Sequence, residues 1–187
     1  MILAFSGKKH SGKDTAANFI MESKPELKFK VVKFADPLKD AVCAMFDLTR
    51  DDLESLKDEI ESITGVNFRY IQQTLGTEWG RDLIHPDIWV LLTKSKILKY
   101  QNEGYIVLVT DVRFDNEADL IKNLGGALIE TRRMTGKNLN DGHTSEKGVD
   151  EKYIDYFVMN NDTIESFKEK MLSILEIELE NLTSTFN

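Results

Sequence analysis

The stretch Ile2-Leu3-Ala4-Phe5-Ser6-Gly7-Lys8-Lys9-His10-Ser11-Gly12-Lys13-Asp14-Thr15 decides how the rest of the chain is read. A short apolar run closed by glycine predicts a strand, and the G-x-x-x-x-G-K spacing of Gly7, Gly12 and Lys13 opens a helix directly after it. Glycines at these two positions let backbone N–H groups turn inward around phosphate oxygens. Lys8, His10 and Ser11 lie on the same turn. The helix N-terminus adds positive potential, and Lys13 reaches the β and γ phosphates of a triphosphate. Asp14 stands where Ser or Thr usually ligates magnesium, with Thr15 beside it. Either the aspartate holds the metal, directly or through a water, or Thr15 substitutes for it.

Outward from this loop, strand-like runs alternate with helical patterns. Val31 to Phe34, Ile106 to Thr110, Ala127 to Thr131 and Tyr156 to Met159 join Ile2 to Ser6 in a set of about five strands. Asp36-Pro37 reads as a helix start with Asp as the cap, and Gly125-Gly126 as a helix stop. Thr163 to Leu182 spaces apolar residues at helical intervals among acids. The alternation predicts a three-layer α/β/α domain with a mostly parallel sheet of about five strands, the P-loop NTPase architecture. One domain over residues 1–187 is expected, with an acceptor-binding insertion around 48–82 and a polar, lid-like loop around 133–150. The acidic C-terminal helix either docks on its own sheet or pairs with a second subunit in a homodimer.

Composition narrows the chemistry. The 187 residues carry 24 Lys and Arg against 32 Asp and Glu, a formal charge of -8. Residues 1–40 nevertheless hold 8 basic against 5 acidic side chains, and residues 146–187 hold 4 against 10. This distribution suits a small polyanion bound near the front of the chain and disfavours nucleic acid as a partner. No apolar run approaches the ~20 residues of a membrane span, and the N-terminal residues lack a secretory pattern, so no membrane partner and a cytoplasmic location are expected. Cys43 is the single cysteine, which excludes an internal disulfide and, with three histidines, a zinc cluster.

Ile106-Val107-Leu108-Val109-Thr110-Asp111 is an apolar strand ending in a carboxylate that could serve magnesium beside the loop. Arginine is scarce, six residues against 18 lysines, yet Arg81, Arg113, Arg132 and Arg133 fall near expected strand ends or in the loops after them. A guanidinium grips phosphate oxygens with a planar fork and keeps its proton, so four such residues lean toward a phosphorylated acceptor. Trp79 and Trp89 could each stack on a base, although burial is the ordinary state of tryptophan. Cys43 reads as core, and His143 as a residue of the lid-like loop.

Ser11-Gly12-Lys13-Asp14-Thr15, Phe34-Ala35-Asp36-Pro37-Leu38-Lys39, Gln73-Thr74-Leu75-Gly76-Thr77-Glu78-Trp79-Gly80-Arg81, Asp111-Val112-Arg113-Phe114-Asp115-Asn116-Glu117-Ala118 and His143-Thr144-Ser145-Glu146 follow one another in this order. Together they resemble the deoxynucleoside monophosphate kinases of tailed bacteriophages over about residues 2–160. The resemblance implies a nucleoside monophosphate kinase-like fold that transfers the γ-phosphate of ATP, with Mg2+, to a deoxynucleoside monophosphate in the cytoplasm of a bacterial host. It implies that Lys13, Arg81, Arg113 and Arg132 act on the transferred group. Gly7, Lys8, His10, Ser11, Gly12, Lys13, Asp14, Thr15 and Arg133 would hold ATP, and Asp14, Thr15 and Asp111 would serve the metal. Asp36, Lys39, Trp79, Arg81, Arg113 and Glu146 would meet the acceptor. The chain is short for that family, which leaves the accepted base open. Two rival readings are a kinase of another phosphorylated metabolite, of the phosphomevalonate type, and a non-catalytic ATP-binding regulator.

Overall fold

A computed structural model describes residues 1–133 and 148–184. These residues cluster into two units, Met1–Lys33 with Lys96–Asn187, and Phe34–Ser95.

The first unit is built on β1 (Ile2–Ser6), β2 (Phe29–Val32), β3 (Ile106–Val112), β4 (Ala127–Arg132) and β5 (Tyr156–Met159). They form one parallel sheet in the order β2-β3-β1-β4-β5. The second strand lies two residues earlier than its composition suggests, because Phe29 pairs with Ile106 and Val32 with Val109. Helices α1 (Lys13–Ser23) and α7 (Ile164–Ser184) cover one face. There Ala16, Ile20, Phe167, Met171 and Leu175 pack with Leu3, Phe5, Leu108 and Ile129, all at most 1% exposed. The C-terminal helix therefore docks on its own sheet. Helix α6 (Asp115–Asn123) packs on β4. It ends as Gly125-Gly126 predicts: Gly125 adopts φ +70°, a left-handed position open to glycine. Near-continuous apolar strands follow from burial on both faces.

The chain leaves β1 toward β2 but leaves β4 toward β5. Connections thus diverge between the adjacent strands β1 and β4, and an open α/β sheet has its crevice at the carboxyl end of such a pair.

The second unit is helical: α2 (Asp36–Phe46), α3 (Arg50–Ser55), α4 (Phe68–Thr74), a π-helix (Leu75–Ile84) and the first turns of α5 (Ile88–Asn102). Its core is Val42, Leu53 and Phe68, with Cys43, Phe46 and Ile71 packed against it. Cys43 thus joins the core, though only half-buried. In α2 the cap position is taken by Ala35, with no side-chain cap. Asp36, the expected cap, is drawn away by Arg50, which donates to both its carboxylate and its carbonyl oxygen at 3.2 and 2.9 Å.

No described helix is long and apolar enough to cross a membrane.

Candidate active site

The loop between β1 and α1 is fixed from three strand ends. Gly7 has φ +127°, and a Cβ there would sit 2.2 Å from the Thr131 carbonyl oxygen on β4. Gly12 has φ +107°, and a Cβ there would sit 2.6 Å from Asn160 Nδ2, just beyond β5. Between them Ser11 is buried, its hydroxyl 2.7 Å from the Thr131 hydroxyl, while Asn160 Nδ2 donates to the Ser11 carbonyl at 2.9 Å. The Thr131 hydroxyl also reaches the Ser6 carbonyl at 3.3 Å. Two glycines and two anchors therefore hold a backbone turn packed so closely against Thr131, Asn160 and Phe167 that a β-carbon at either glycine would collide with them. That is a cradle for an anion approached by main-chain N–H groups.

Lys13 begins α1, and its ammonium donates to the carbonyls of Gly7 and Lys8 at 2.7 and 2.8 Å. These bonds keep a full positive charge within the turn. Lys8 and His10 lie along its exposed rim. His10 takes the left-handed φ of +63° without being glycine, a sparsely populated conformation that marks a constrained turn.

Asp14 follows at the start of the helix. Its Oδ1 accepts from Lys33 Nζ at 2.7 Å and from the Thr110 hydroxyl at 3.0 Å. Partial burial opposes ionisation. The Lys33 hydrogen bond and charge, the Thr110 hydrogen bond and Lys13 outweigh it, so the carboxyl lies below the usual aspartate range. An ionised carboxylate, 67% exposed and beside the cradle, has the oxygen chemistry that magnesium takes, so the residues present fit the ion. Thr15 is exposed one residue further along α1. Asp111 sits at an irregularity in the ladder: Ala4 pairs with Val109 but Ser6 with Val112, so Thr110 and Asp111 together oppose Phe5. Such a bulge re-aims side chains at a strand end, and its other residue, Thr110, is the one whose hydroxyl donates to Asp14.

Arg113 leaves β3 in a turn stapled by Glu117, whose buried carboxylate accepts from the N–H groups of Arg113 and Phe114 at 2.8 and 3.2 Å. Arg132 ends β4. Its guanidinium forms a fork with Glu130 at 2.8 and 3.1 Å, reaches Glu151 at 2.8 Å and lies 4.4 Å from the Phe157 ring centre. These acids hold its proton even more firmly than usual. A cavity of about 270 Å³ opens at this edge, lined by Ser6, Lys8, Arg113, Glu130, Arg132 and Glu151 among others. The buried Ser6 hydroxyl at its base has no hydrogen-bond partner among the described residues. Arg133 is exposed at the last described position of this segment.

In the second unit, Arg81 lies on the π-helix with Nη1 3.4 Å from the Gly76 carbonyl. Trp79 on the same helix is 46% exposed, whereas Trp89 is 5% exposed. Burial thus holds for one tryptophan and fails for the other. Asp36 is engaged by Arg50 as above, and Lys39 lies 3.5 Å from Glu54. The two arginines not singled out by position, Arg50 and Arg69, are held by Asp40 and Asp58 respectively. Glu146, His143 and most of the lid-like loop lie outside the described residues.

The structure brings Gly7, Lys8, Ser11, Gly12, Lys13, Asp14, Arg113 and Arg132 to the carboxyl edge of one sheet. Sequence reasoning missed Thr131, Asn160, Lys33, Thr110 and Glu117. Each acts through a partner distant in the chain or, for Glu117, through backbone groups, and an isolated Thr, Asn or Lys carries no local pattern. Glu117 carries no capping-box signature either, because the N-cap three residues before it is Phe114, whose side chain has no acceptor.

Comparison with known proteins bears on what these groups do. A sequence model described as deoxynucleotide monophosphate kinase matches residues 1–69 and 48–171. A protein of Acanthamoeba polyphaga mimivirus, provisionally named a deoxynucleotide monophosphate kinase, is 33% identical over 190 residues, covering 94% of this chain and 96% of that one. The deoxynucleoside-5'-monophosphate kinase of Escherichia phage T5 is 30% identical over 136 residues, 69% of this chain but 53% of the phage protein. Among solved structures, TT1252 from Thermus thermophilus superposes with a TM-score of 0.54 at 16% identity, covering 96% of this chain and 97% of that one, a likeness of fold alone. The parallel sheet with its glycine-bounded turn and the extent of these matches agree: this chain belongs to the deoxynucleotide monophosphate kinase family, and is a phosphotransferase whose acceptor is a phosphate group.

Proposed function

We propose that the first unit holds the triphosphate of ATP in the Gly7–Lys13 cradle and that the γ-phosphoryl group passes to a deoxynucleoside monophosphate, yielding the diphosphate and ADP. The observation that carries this reading is the cradle itself: two positions where no β-carbon fits, with an ammonium held on the carbonyls of Gly7 and Lys8. Backbone N–H groups and Lys13 stabilise the β and γ oxygens, and catalysis is positioning plus charge neutralisation. Magnesium, when bound, neutralises developing charge on the phosphates, and Asp14 is its first candidate ligand, with Thr15 and Asp111 as further candidates.

Arg113, Arg132 and Arg133 supply guanidinium charge at the carboxyl edge of the sheet. Arg132 has to exchange its bonds with Glu130 and Glu151 for phosphate oxygens to do so. We assign Asp36, Lys39, Trp79 and Arg81 of the second unit to the acceptor, with the insertion around 48–82 shaping the choice of base. The net charge of -8 supports a mononucleotide substrate over nucleic acid, and the likeness to a phage kinase supports work in the cytoplasm of a bacterial host.

A coupled assay of ADP release across the deoxynucleoside and ribonucleoside monophosphates and a few phosphorylated metabolites tests the assignment. Turnover is expected with at least one deoxynucleoside monophosphate. Activity confined to a phosphorylated metabolite such as phosphomevalonate, or ATP binding with no transfer, overturns it.

A further inference from the structure

The segment Leu75–Ile84 is a π-helix ten residues long, closed by the His85 N–H donating five residues back to the Gly80 carbonyl at 3.0 Å. Widened helical turns of this kind are rare, seldom exceed one turn, and cluster at functional sites. They need support from outside the helix. Here the support is Trp89. Its buried indole N–H donates to the Gly76 carbonyl at 2.8 Å. Its ring lies flush against Gly80, where a Cβ would come within 2.6 Å of Cζ2 and 3.0 Å of Cε2. Gly76 and Gly80 are both buried; the indole ring fills the space that the missing side chain of Gly80 leaves, while at Gly76 it holds the carbonyl through its N–H.

The same Gly76 carbonyl lies 3.4 Å from Arg81 Nη1. One main-chain oxygen thus meets both the indole and the guanidinium. Trp79, half-exposed, projects from the same turn. A buried indole N–H has a strong need of an acceptor, and losing it leaves that carbonyl with a vacant lone pair in a dry setting.

We infer that Trp89 is a positioning residue for the acceptor: it fixes the π-helical turn at Gly76 and Gly80 and so sets where Arg81 and Trp79 are presented. This rests on the assignment of Arg81 and Trp79 to the acceptor. Trp89 itself touches neither substrate.

The test uses the full chain and four variants, with initial rates of ADP release measured against deoxynucleoside monophosphate at saturating ATP, and the reverse. Trp89→Phe keeps the ring and removes the N–H; it is expected to raise the KM for the monophosphate about tenfold while the KM for ATP stays within about twofold. Trp89→His, which restores a ring N–H, is expected to recover part of that loss. Arg81→Gln is expected to raise the same KM at least as far, and the double variant Arg81→Gln with Trp89→Phe no further, since the two act through one turn. In Trp89→Phe the remaining tryptophan is Trp79, so quenching of its emission by the monophosphate reads acceptor binding without turnover. Weaker quenching than in the parent chain is expected at equal concentration.

If Arg81→Gln raises the monophosphate KM and Trp89→Phe leaves it unchanged, the acceptor assignment stands and the positioning role of Trp89 is wrong. An unchanged KM in Arg81→Gln removes the assignment itself. Equal rises in both KM values in Trp89→Phe, with a lowered melting temperature, mark a merely structural residue and also overturn the inference. Should Trp89→Phe fail to fold, Gly80→Ala, which displaces the ring, carries the same split between the two KM values.

Discussion

Two pairs of glycines, Gly7 with Gly12 and Gly76 with Gly80, shape the two regions to which function is assigned, and they do so for opposite reasons. In the first pair the backbone turns through φ of +127° and +107°, conformations that glycine alone adopts freely, with the Thr131 carbonyl pressed against Gly7 and the Asn160 and Phe167 side chains against Gly12. In the second pair φ is not positive; the space beside Gly80 is filled by the Trp89 ring and that beside Gly76 is approached by Leu38. A glycine demanded by backbone conformation is written into local sequence. One demanded by a side chain packed from elsewhere is not. The loop is therefore the region a motif can announce, and the π-helix is the region only packing can explain.

The sharpest way to break this contrast is at the charge the first pair surrounds. Lys13→Ala is expected to lower kcat by about 10²–10³, the usual loss for one preorganised oxyanion partner, with a melting temperature close to that of the parent chain. Near-parental turnover would detach the loop from the chemistry. Gly7→Ala attacks the conformation itself. Both the φ and the 2.2 Å approach to the Thr131 carbonyl forbid a methyl, so a loss of about 2–4 kcal/mol in urea unfolding is expected together with weakened ATP binding.

Gly80→Ala, by contrast, meets no conformational bar, only the Trp89 ring and the Leu75 carbonyl. A loss of about 1–3 kcal/mol is expected, with ATP binding retained, as measured by the same unfolding experiment and by calorimetric titration with ATP. A Gly80→Ala loss larger than that of Gly7→Ala would reverse the reading of the two pairs.

A smaller effect sharpens the first region alone. Asp14 has a folded-state pKa below its unfolded value. The folded chain therefore binds fewer protons, and the contribution is complete above the ordinary aspartate range and lost as pH falls through the lowered value. Lys33→Met removes the strongest downward influence, so the acid limb of kcat/KM is expected to move to higher pH. Rate profiles from about pH 4 to pH 7 check this. An acid limb at the parental position would separate Asp14 from the rate. Arg69→Ala, at an exposed pair with Asp58, serves as the baseline: a change of at most about 0.5 kcal/mol and unchanged turnover.

How far each region was legible follows from the range of its determinants. Strand β1, the turn and α1 lie within 23 residues, and the expected strand Ile2 to Ser6 and helix start after Gly12 hold there. The anchors Thr131 and Asn160 are 120 and 149 residues from Ser11, and nothing local in either marks a partner. Strand β2 was misplaced by two residues because its register is set by β3. Asp36 looks like a helix cap in isolation; Arg50, fourteen residues on, recruits it instead. Trp79 and Trp89 share a composition cue and end in opposite environments. In each case the local preference is a fraction of a kcal/mol to about 2, within reach of one tertiary contact.

The attachment of Ser11 to residues beyond β4 and β5 has a consequence for the order in which the chain acquires its properties. A nascent or shortened chain ending before Asn160 contains the whole glycine-lysine motif yet lacks the amide that holds its last carbonyl, and one ending before Thr131 lacks the second lock as well. On the proposed reading of the loop, competence to grip a nucleotide arrives late in synthesis, after most of the sheet has been laid down.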